Sequence, residues 1–373
     1  MDAEIEPHDR TGAGRRHQQG TAAPEALEGW LEPPERLKAE ERALHRSRAL
    51  KLLDDACRES DWEILRVLRI EAVKHWPGRR LTIRYELEAR RRGERPRRTI
   101  LYAKLYRGRK GERIFKSLEF LRSRMQLPLR LPEPLGYSAR WKLLVLQALD
   151  GLSLADLLRG PGATWYLSRF ASNLADFHEL LPAHPAAARG PSEIPIRRHD
   201  ARAEEKIVDR AIDRLTRAPF WKALEPTCGP VIDRVREQLR AGRAEDDVES
   251  QHLIHRDLYP EQVLFAGGCV GLIDVDELSL GEREVDAGNF VAHLVLADLQ
   301  KSGRIEAASH LSDVFLTSYV SRRSLSSSHL ACYEASALLR LASLERLSQA
   351  GRSVLPWDGL ASRLVEAAVR ALS

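Results

Sequence analysis

Residues 253–265 read LIHRDLYPEQVLF and carry the strongest chemical signal in the chain. Asp257 lies within this segment, Gln262 follows five residues later, and Asp274 ends the next apolar run. Two short apolar runs, 263–265 and 270–273, surround a pair of glycines and predict a hairpin between the two aspartates. Such a hairpin would bring both carboxylates to one mouth of a cleft.

Phosphoryl transfer needs this combination of side chains. One carboxylate orients the attacking hydroxyl and accepts its proton, while a second carboxylate and an amide oxygen hold Mg²⁺ on the nucleotide phosphates. Mg²⁺ takes few protein ligands and keeps waters and phosphate oxygens for the rest. We therefore expect Asp257 to be catalytic and Asp274 and Gln262 to bind the metal. A lone aspartate at a turn is often only a cap. The prediction therefore depends on the two aspartates, the amide between them and the hairpin occurring together.

The segment His255-Arg256-Asp257, with Gln262 and Asp274, resembles the catalytic and metal-binding loops of the protein-kinase-like superfamily. Residues 280–290, LGEREVDAGNF, make it more similar to the aminoglycoside phosphotransferase and choline kinase branch. The resemblance implies ATP and Mg²⁺ as cofactors, a small-molecule hydroxyl acceptor, and an Asp286 that braces the catalytic loop. The branch usually has Asn where this chain has Gln262, which offers the same amide oxygen one methylene further out.

The upstream region predicts a small sheet followed by one helix. Strands are expected at 64–73, 81–87, 99–106 and 143–149, with a helix over 112–125. Lys104 lies on the third of these strands. The resemblance implies that Lys104 neutralises nucleotide phosphates and pairs with Glu112 or Glu119, between which the sequence does not choose. It also implies that the backbone from Gln147 to Leu149 meets the adenine.

These patterns predict an α+β, two-lobed, protein-kinase-like fold with a small antiparallel-sheet N-lobe and a larger, mainly helical C-lobe. We expect four segments: a disordered tail over 1–24, a helical extension over 25–60, the N-lobe over 61–147, and the C-lobe over 148–373. The tail is polar, while leucines at helical spacing suggest that the extension packs on the following domain.

Composition is that of an ordinary globular protein, with 43% hydrophobic and 30% charged residues and a net charge of +5. The four cysteines lack metal-ligand spacing and are typical of reduced thiols, which favours a cytoplasmic location. No apolar run approaches the length of a membrane span. The arginine-rich segment 90–98 carries no interleaved aromatic residue and is interpreted as a solvated hairpin tip, so no nucleic-acid partner is expected.

The phosphoryl acceptor stays open at this level between aminoglycoside-, amino alcohol- and sugar-like compounds. Acidic residues over 200–245 alternate with arginines and are interpreted as a solvated face. Two other functions remain: a nucleotide-binding regulatory module with impaired metal binding at Gln262, and a protein kinase. The absence of Asp-Phe-Gly after the hairpin argues against the protein kinase.

Overall fold

The computed structural model describes residues 34–76, 80–124, 126–181, 195–242, 251–349 and 351–373. The strands are β1 (Trp62–Trp76), β2 (Arg80–Arg91), β3 (Arg97–Tyr106), β4 (Pro134–Ser138), β5 (Leu143–Gln147), β6 (Leu152–Ser153), β7 (Arg197–Arg198), β8 (His252–Ile254), β9 (Val263–Ala266), β10 (Cys269–Leu272) and β11 (Ser279–Gly281). The α-helices are α1 (Pro34–Ala43), α2 (Arg46–Ala56), α3 (Lys110–Arg124), α4 (Leu154–Leu157), α5 (Ala163–His178), α6 (Ala201–Leu215), α7 (Trp221–Gly242), α8 (Arg283–Ser302), α9 (Glu306–Val320), α10 (Ser327–Ala342) and α11 (Trp357–Ala371). None of the described helices is long and apolar enough to cross a lipid bilayer.

The smaller lobe is built on a five-stranded antiparallel sheet with strand order β1-β2-β3-β5-β4. The alternation of apolar residues in β2 predicts its buried face, and Leu81, Ile83, Tyr85 and Leu87 are all fully buried. The expected strands and helix are therefore confirmed, with β4 as an addition. β4 is short and follows several prolines, and its pattern alone does not distinguish it from a loop.

The N-terminal extension packs on this sheet through α1 and α2. Leu52 and Leu53 join its hydrophobic core, and the Tyr85 hydroxyl donates a hydrogen bond to the carbonyl of Ala43 at 2.6 Å. A Cβ on Gly136 would lie 1.8 Å from the Ala56 carbonyl oxygen, so only glycine permits this close approach of β4 to α2. Helices α1 and α2 lie within the predicted extension, which stays a prediction as a segment, whereas the predicted tail and residues 25–33 lie outside the described residues.

The larger lobe is mainly helical, as expected. Its hydrophobic core is continuous with one face of α3, because Ile114, Leu118 and Leu121 belong to the same cluster as the buried residues of α5, α8 and α10. The helix of the small lobe therefore holds the two lobes together. The exact boundary near residue 147 stays a prediction.

Two small sheets in the larger lobe carry the loops of interest. β9 and β10 form the predicted hairpin, and Gly267 and Gly268 at its tip have φ values of 55° and 80°, a combination that favours glycine at both positions. β6 completes that sheet, while β11 pairs in parallel with β7 and antiparallel with β8. β8 leads into Asp257 and β10 leads into Asp274, so both aspartates emerge at neighbouring points of the lobe.

Candidate active site

The loop that carries Asp257 is held by a single buried carboxylate. Asp286, in the first turn of α8, accepts hydrogen bonds from the backbone N–H of His255 at 2.7 Å and of Arg256 at 2.6 Å. Arg256 adopts a left-handed conformation with φ of 73°, which these bonds help to hold. The predicted bracing role of Asp286 is confirmed.

A buried histidine in turn holds Asp286. His178 lies 3.1 Å from Asp286 through Nε2 and 2.5 Å from the Tyr319 hydroxyl through Nδ1, and all three side chains are fully buried. His178 is the last residue of α5 and lies behind the loop, where it contacts the carboxylate that holds the loop.

The carboxylate of Asp257 is partly exposed and faces a cationic environment. Arg340 of α10 approaches it at 3.4 Å and also hydrogen-bonds to Asn289. Burial on its own would raise the pKa of Asp257, but the positive charges of Arg340 and Arg256 hold it below its usual range. Asp257 is therefore ionised at neutral pH, as a proton acceptor must be.

Asp274 lies at the end of β10 in a left-handed conformation, with φ of 58°. Lys104 of β3 donates to one of its carboxylate oxygens at 2.8 Å, and Lys74 lies 3.5 Å from the other. Burial opposes ionisation of Asp274, but Lys104, Lys74 and Arg80 hold its pKa well below the usual range. The structure thus brings Lys104 and Asp274, 170 residues apart, into one ion pair.

A second carboxylate, Asp276, shares this lysine. Asp276 is 3% exposed and accepts from Lys104 at 2.6 Å, from the Tyr106 hydroxyl at 2.9 Å and from Arg80 at 2.7 Å. The 3₁₀ turn Val275–Glu277 places Asp276 beside Asp274 on the Lys104 ammonium. Lys104 is therefore held between two aspartates of the larger lobe.

The expected pairing of Lys104 with a glutamate of α3 is wrong for this structure. Among the described residues, Lys104 forms ion pairs only with the two aspartates, whereas Glu112 pairs with Lys116 and Arg109 on the helix surface. Glu119 lines a cavity on the other side of α3, and burial together with the nearby charge of Glu59 raises its pKa. The physical reason is that α3 presents its apolar face to the core, which directs both glutamates away from β3.

Gln262 lies between the two aspartates along the hairpin, and it is almost fully buried. Its side-chain oxygen accepts from the backbone N–H of Tyr259 at 3.2 Å, and its backbone carbonyl accepts from Ile273, the residue before Asp274, at 2.9 Å. Its amide nitrogen has no hydrogen-bond partner among the described residues. Gln262 and Asp274 are therefore neighbours, and burial together with the charges of Asp257 and Asp274 raises the pKa of Tyr259 beside them to about 12.

The donor set fits a hard divalent cation that is shared with phosphate oxygens. A carboxylate and an amide oxygen are the ligand types that Mg²⁺ prefers. Among the described residues, no group of three His, Cys, Asp or Glu side chains is arranged to hold a metal ion. The carboxylate of Asp274 and the amide oxygen of Gln262 thus suit a cation whose other ligands are waters and phosphate oxygens.

The expected adenine contact lies at the end of β5, where some backbone N–H groups are already hydrogen-bonded within the protein. The N–H of Gln147 donates to Glu133 at 2.9 Å and that of Ala148 donates to Ile100 at 3.1 Å. Leu149 forms no backbone hydrogen bond with a described residue, and its side chain packs over Gly271. Leu149 is thus the better placed of the two predicted residues, and both stay predictions.

The turn between β1 and β2 falls at residues 77–79, outside the described residues. Its flanks are described. Lys74 and Arg80 both point to the aspartates of the larger lobe, and Trp76 is 45% exposed with the Arg346 guanidinium 5.8 Å from its ring centre. Basic side chains beside the turn therefore face the place where phosphates are expected.

Sequence reasoning assigned no role to Asp276, Arg340 or Tyr106. Asp276 had a local signal, because it follows the predicted metal ligand Asp274 by two residues and shares its turn. Arg340 had none, since it reaches Asp257 from a helix 83 residues away. Arg80 and Tyr106 are opposite one another in the register of β2 and β3, and both reach the carboxylate of Asp276.

Several solved structures share this architecture. The amicoumacin kinase hAmiN, solved with AMP-PNP, Ca²⁺ and Ami, matches with a TM-score of 0.58 and 12% identity over 89% of this chain and 95% of that chain. Spectinomycin phosphotransferase APH(9)-Ia, solved with ADP and spectinomycin, matches with a TM-score of 0.55 and 12% identity over 88% and 98%. Choline kinase from Cryptosporidium parvum Iowa II matches with a TM-score of 0.54 and 12% identity over 81% and 88%. These similarities show the predicted two-lobed, protein-kinase-like fold.

A search of the curated proteins found no significant match. The model of the phosphotransferase enzyme family matches residues 85–313, which is more than half of the chain. That range contains Lys104, the Asp257 loop, the hairpin and Asp286. The predicted resemblance to the aminoglycoside phosphotransferase and choline kinase branch is confirmed, and the chain belongs to the phosphotransferase enzyme family.

Proposed function

We propose that this protein transfers the γ-phosphoryl group of ATP to a hydroxyl group of a small molecule. The observation that carries the proposal is the loop of Asp257, which two backbone hydrogen bonds to Asp286 fix. His255 of this loop lies 2.9 Å from the carbonyl oxygen of Ile273, the residue before Asp274 of the Lys104–Asp274 ion pair. A fixed, ionised carboxylate next to a cation and a second carboxylate is the arrangement that phosphoryl transfer requires.

Each residue has a defined role in the proposed reaction. Asp257 orients the acceptor hydroxyl and accepts its proton as the oxygen bonds to the γ-phosphorus and the bond to the β–γ bridging oxygen breaks, releasing ADP. Lys104 steadies the α- and β-phosphates, while Asp274 and Gln262 would hold Mg²⁺. When bound, that ion supplies positive charge to the phosphate oxygens. Leu149 would offer its free backbone N–H to the adenine.

Replacing Asp257 by Asn tests the proposal directly. The amide keeps the shape of the side chain but cannot accept the proton, so we expect turnover to fall by about 10²–10⁴-fold. The measurement is ADP release with a panel of hydroxylated metabolites and aminocyclitols. Asp213→Asn is the matched control, because Asp213 forms an exposed ion pair with Arg217 away from the site.

The thermal unfolding temperature of both variants should stay close to that of the wild type, since Asp257 is partly exposed. Near-normal phosphotransfer by the Asp257→Asn protein would refute the catalytic assignment. Loss of activity in the Asp213→Asn control would show that the assay reports folding rather than chemistry.

One observation favours a second function, a nucleotide-binding regulatory module. The side-chain oxygen of Gln262 already accepts the Tyr259 N–H, which weakens the case for a strong metal contact. Thermal shift with ATP, with and without Mg²⁺, separates the two functions. Stabilisation by ATP together with no phosphotransfer to any acceptor would support the module.

A further inference from the structure

A groove with a strongly basic wall lies between α6, the Asp257 loop and the turn after Asp274. Its volume is about 430 Å³, and it is lined by Arg197, His199, Asp200, Arg202, Ala203, Lys206, Ile207, Arg210, Arg256 and Glu277. Arg256 precedes Asp257, and Glu277 ends the 3₁₀ turn that carries Asp276. The groove therefore opens beside the residues to which the catalytic roles are assigned.

The basic side chains of α6 form one row along the groove. Arg202, Lys206 and Arg210 follow one another at intervals of four residues, so they share one face of the helix. All three are exposed, and none forms an ion pair within 4 Å with a described residue. Arg256 likewise makes no ion pair within 4 Å with a described residue, and its positive charge acts on Asp257.

The two acids of the groove lining are already engaged. Asp200 caps α6 by accepting the N–H of Ala203 at 2.8 Å, and Glu277 is bound by Lys110 and Arg197. Glu204, next to the groove, is buried and lies 2.9 Å from His199. None of these three carboxylates therefore forms an ion pair within 4 Å with the row of basic side chains.

Two acids of α6 point away from the groove. Asp209 pairs with Arg236 and Glu205 with Arg240, both on α7. The alternating charges that read as a solvated face in the sequence are thus partly separated by the fold, because these two acids lie toward α7 while the row of cations lies toward the groove. A cationic acceptor would be repelled from this wall, whereas an anion would be attracted.

We propose that this groove binds an anionic group, a phosphate or a carboxylate, on the hydroxyl-bearing acceptor. The inference rests on the proposed phosphotransfer and defines its substrate class. The anion would be held by Arg202, Lys206 and Arg210, and Arg256 would direct the rest of the molecule to Asp257. Arginine and lysine together suit such groups, because they form charge-assisted hydrogen bonds with their oxygens.

The test compares matched acceptors that differ only in the anionic group. ADP release is measured with ribose 5-phosphate against ribose, with glycerate against glycerol, and with choline as a cation. The phosphate and carboxylate arms identify the preferred anion. We expect at least one anionic compound to have a KM about tenfold or more below that of its neutral partner, since one charge-assisted bond contributes that much. Equal KM values within both pairs, or a preference for choline, would overturn the inference.

The double variant Lys206→Glu/Arg210→Glu reverses the charge of two side chains in the groove wall and leaves the residues with proposed catalytic roles unchanged. We expect it to raise the KM for the anionic acceptor at least tenfold and to leave kcat nearly unchanged, because binding of the ground state is lost. The control is Lys222→Glu/Arg234→Glu, which reverses an exposed lysine and an exposed arginine of α7 outside the groove. An equal rise of KM in both double variants would show a general effect of net charge and would contradict a specific groove.

Binding without turnover separates failure of the groove from failure of phosphotransfer. Calorimetry of the Asp257→Asn protein with ribose 5-phosphate or glycerate, in the absence of nucleotide, reports the groove alone. If the protein binds one of these anions and Lys206→Glu/Arg210→Glu abolishes the binding, the groove is supported even if no acceptor is phosphorylated. If neutral acceptors are phosphorylated but neither protein binds an anion, the proposed function stands and the groove is refuted.

Discussion

Gln262 shows how one side chain can serve structure and chemistry in the same loop. Its side-chain oxygen caps the 3₁₀ turn at Tyr259, and its backbone carbonyl binds the residue before Asp274. A carboxamide oxygen has two lone pairs, so the cap leaves one for a cation. The buried amide nitrogen has no hydrogen-bond partner among the described residues. Unsatisfied buried polar groups of this kind are common where function constrains the geometry of a loop.

Replacing Gln262 by Ala separates the two roles. If the amide holds Mg²⁺, the concentration of Mg²⁺ that gives half-maximal activity should rise about tenfold or more, because one ligand of a site with few protein ligands is lost. If it only caps the turn, the free energy of unfolding should fall by about 1 kcal/mol while the Mg²⁺ dependence stays unchanged. Activity titrated with Mg²⁺ and denaturant unfolding give the two readouts, and Asp274→Asn is the positive control.

Among whole elements, the contact between helices α8 and α10 sets the position of the Asp257 loop. A Cβ on Gly288 would lie 2.6 Å from the backbone nitrogen of Glu334, so the two helices approach at backbone distance. α8 carries Asp286, which holds the loop, and α10 carries Arg340, which contacts Asp257. The spacing of these helices therefore decides where the loop lies relative to its arginine.

Glu334 makes this contact sensitive to pH. Burial raises its pKa from 4.5 to about 7, so the folded protein retains a proton that the unfolded chain releases. Below pH 4.5 both states are protonated; as the pH rises to about 7 the unfolding free energy falls, by about 3 kcal/mol at most. We expect Glu334→Gln to remove this decline and to be the more stable protein at pH 8.

Thermal unfolding followed between pH 5 and 8 measures the effect of Glu334→Gln. Glu366→Gln is the control, since Glu366 forms a partly exposed pair with Arg363 on α11. Parallel curves for wild type and Glu334→Gln across this range would contradict a raised pKa in the folded state.

Charged contacts across the cleft join the two lobes of the molecule. Lys74, Arg80, Lys104 and Tyr106 of the small lobe all reach Asp274 or Asp276 of the larger lobe. Lys110 at the start of α3 adds a pair with Glu277. These contacts put the expected phosphate-binding lysine and the expected metal ligand in one network.

Asp276 is the centre of this network, so Asp276→Ala should loosen the lobes. Its removal leaves Lys104, Arg80 and Tyr106 without a shared acceptor, and breaking such a buried pair costs about 3–5 kcal/mol. Denaturant unfolding without nucleotide or Mg²⁺ measures this cost. Asp209→Ala, which breaks the exposed pair with Arg236, should cost less than about 1 kcal/mol. Equal losses of unfolding free energy in both variants would mean that Asp276 stabilises the protein no more than an exposed ion pair does.

The sequence by itself determined the features that depend on neighbours along the chain. The hairpin between Asp257 and Asp274 and the alternating face of β2 follow from local pattern, whereas the bracing role of Asp286 was implied by the family resemblance of residues 280–290. The tertiary structure alone decided which cation meets which carboxylate. Lys104 meets Asp274 and Asp276 rather than a glutamate of α3, because the core face of α3 sets its rotation. Arg340 and the basic row of α6 reach the site only through packing of helices distant in sequence, which no local spacing encodes.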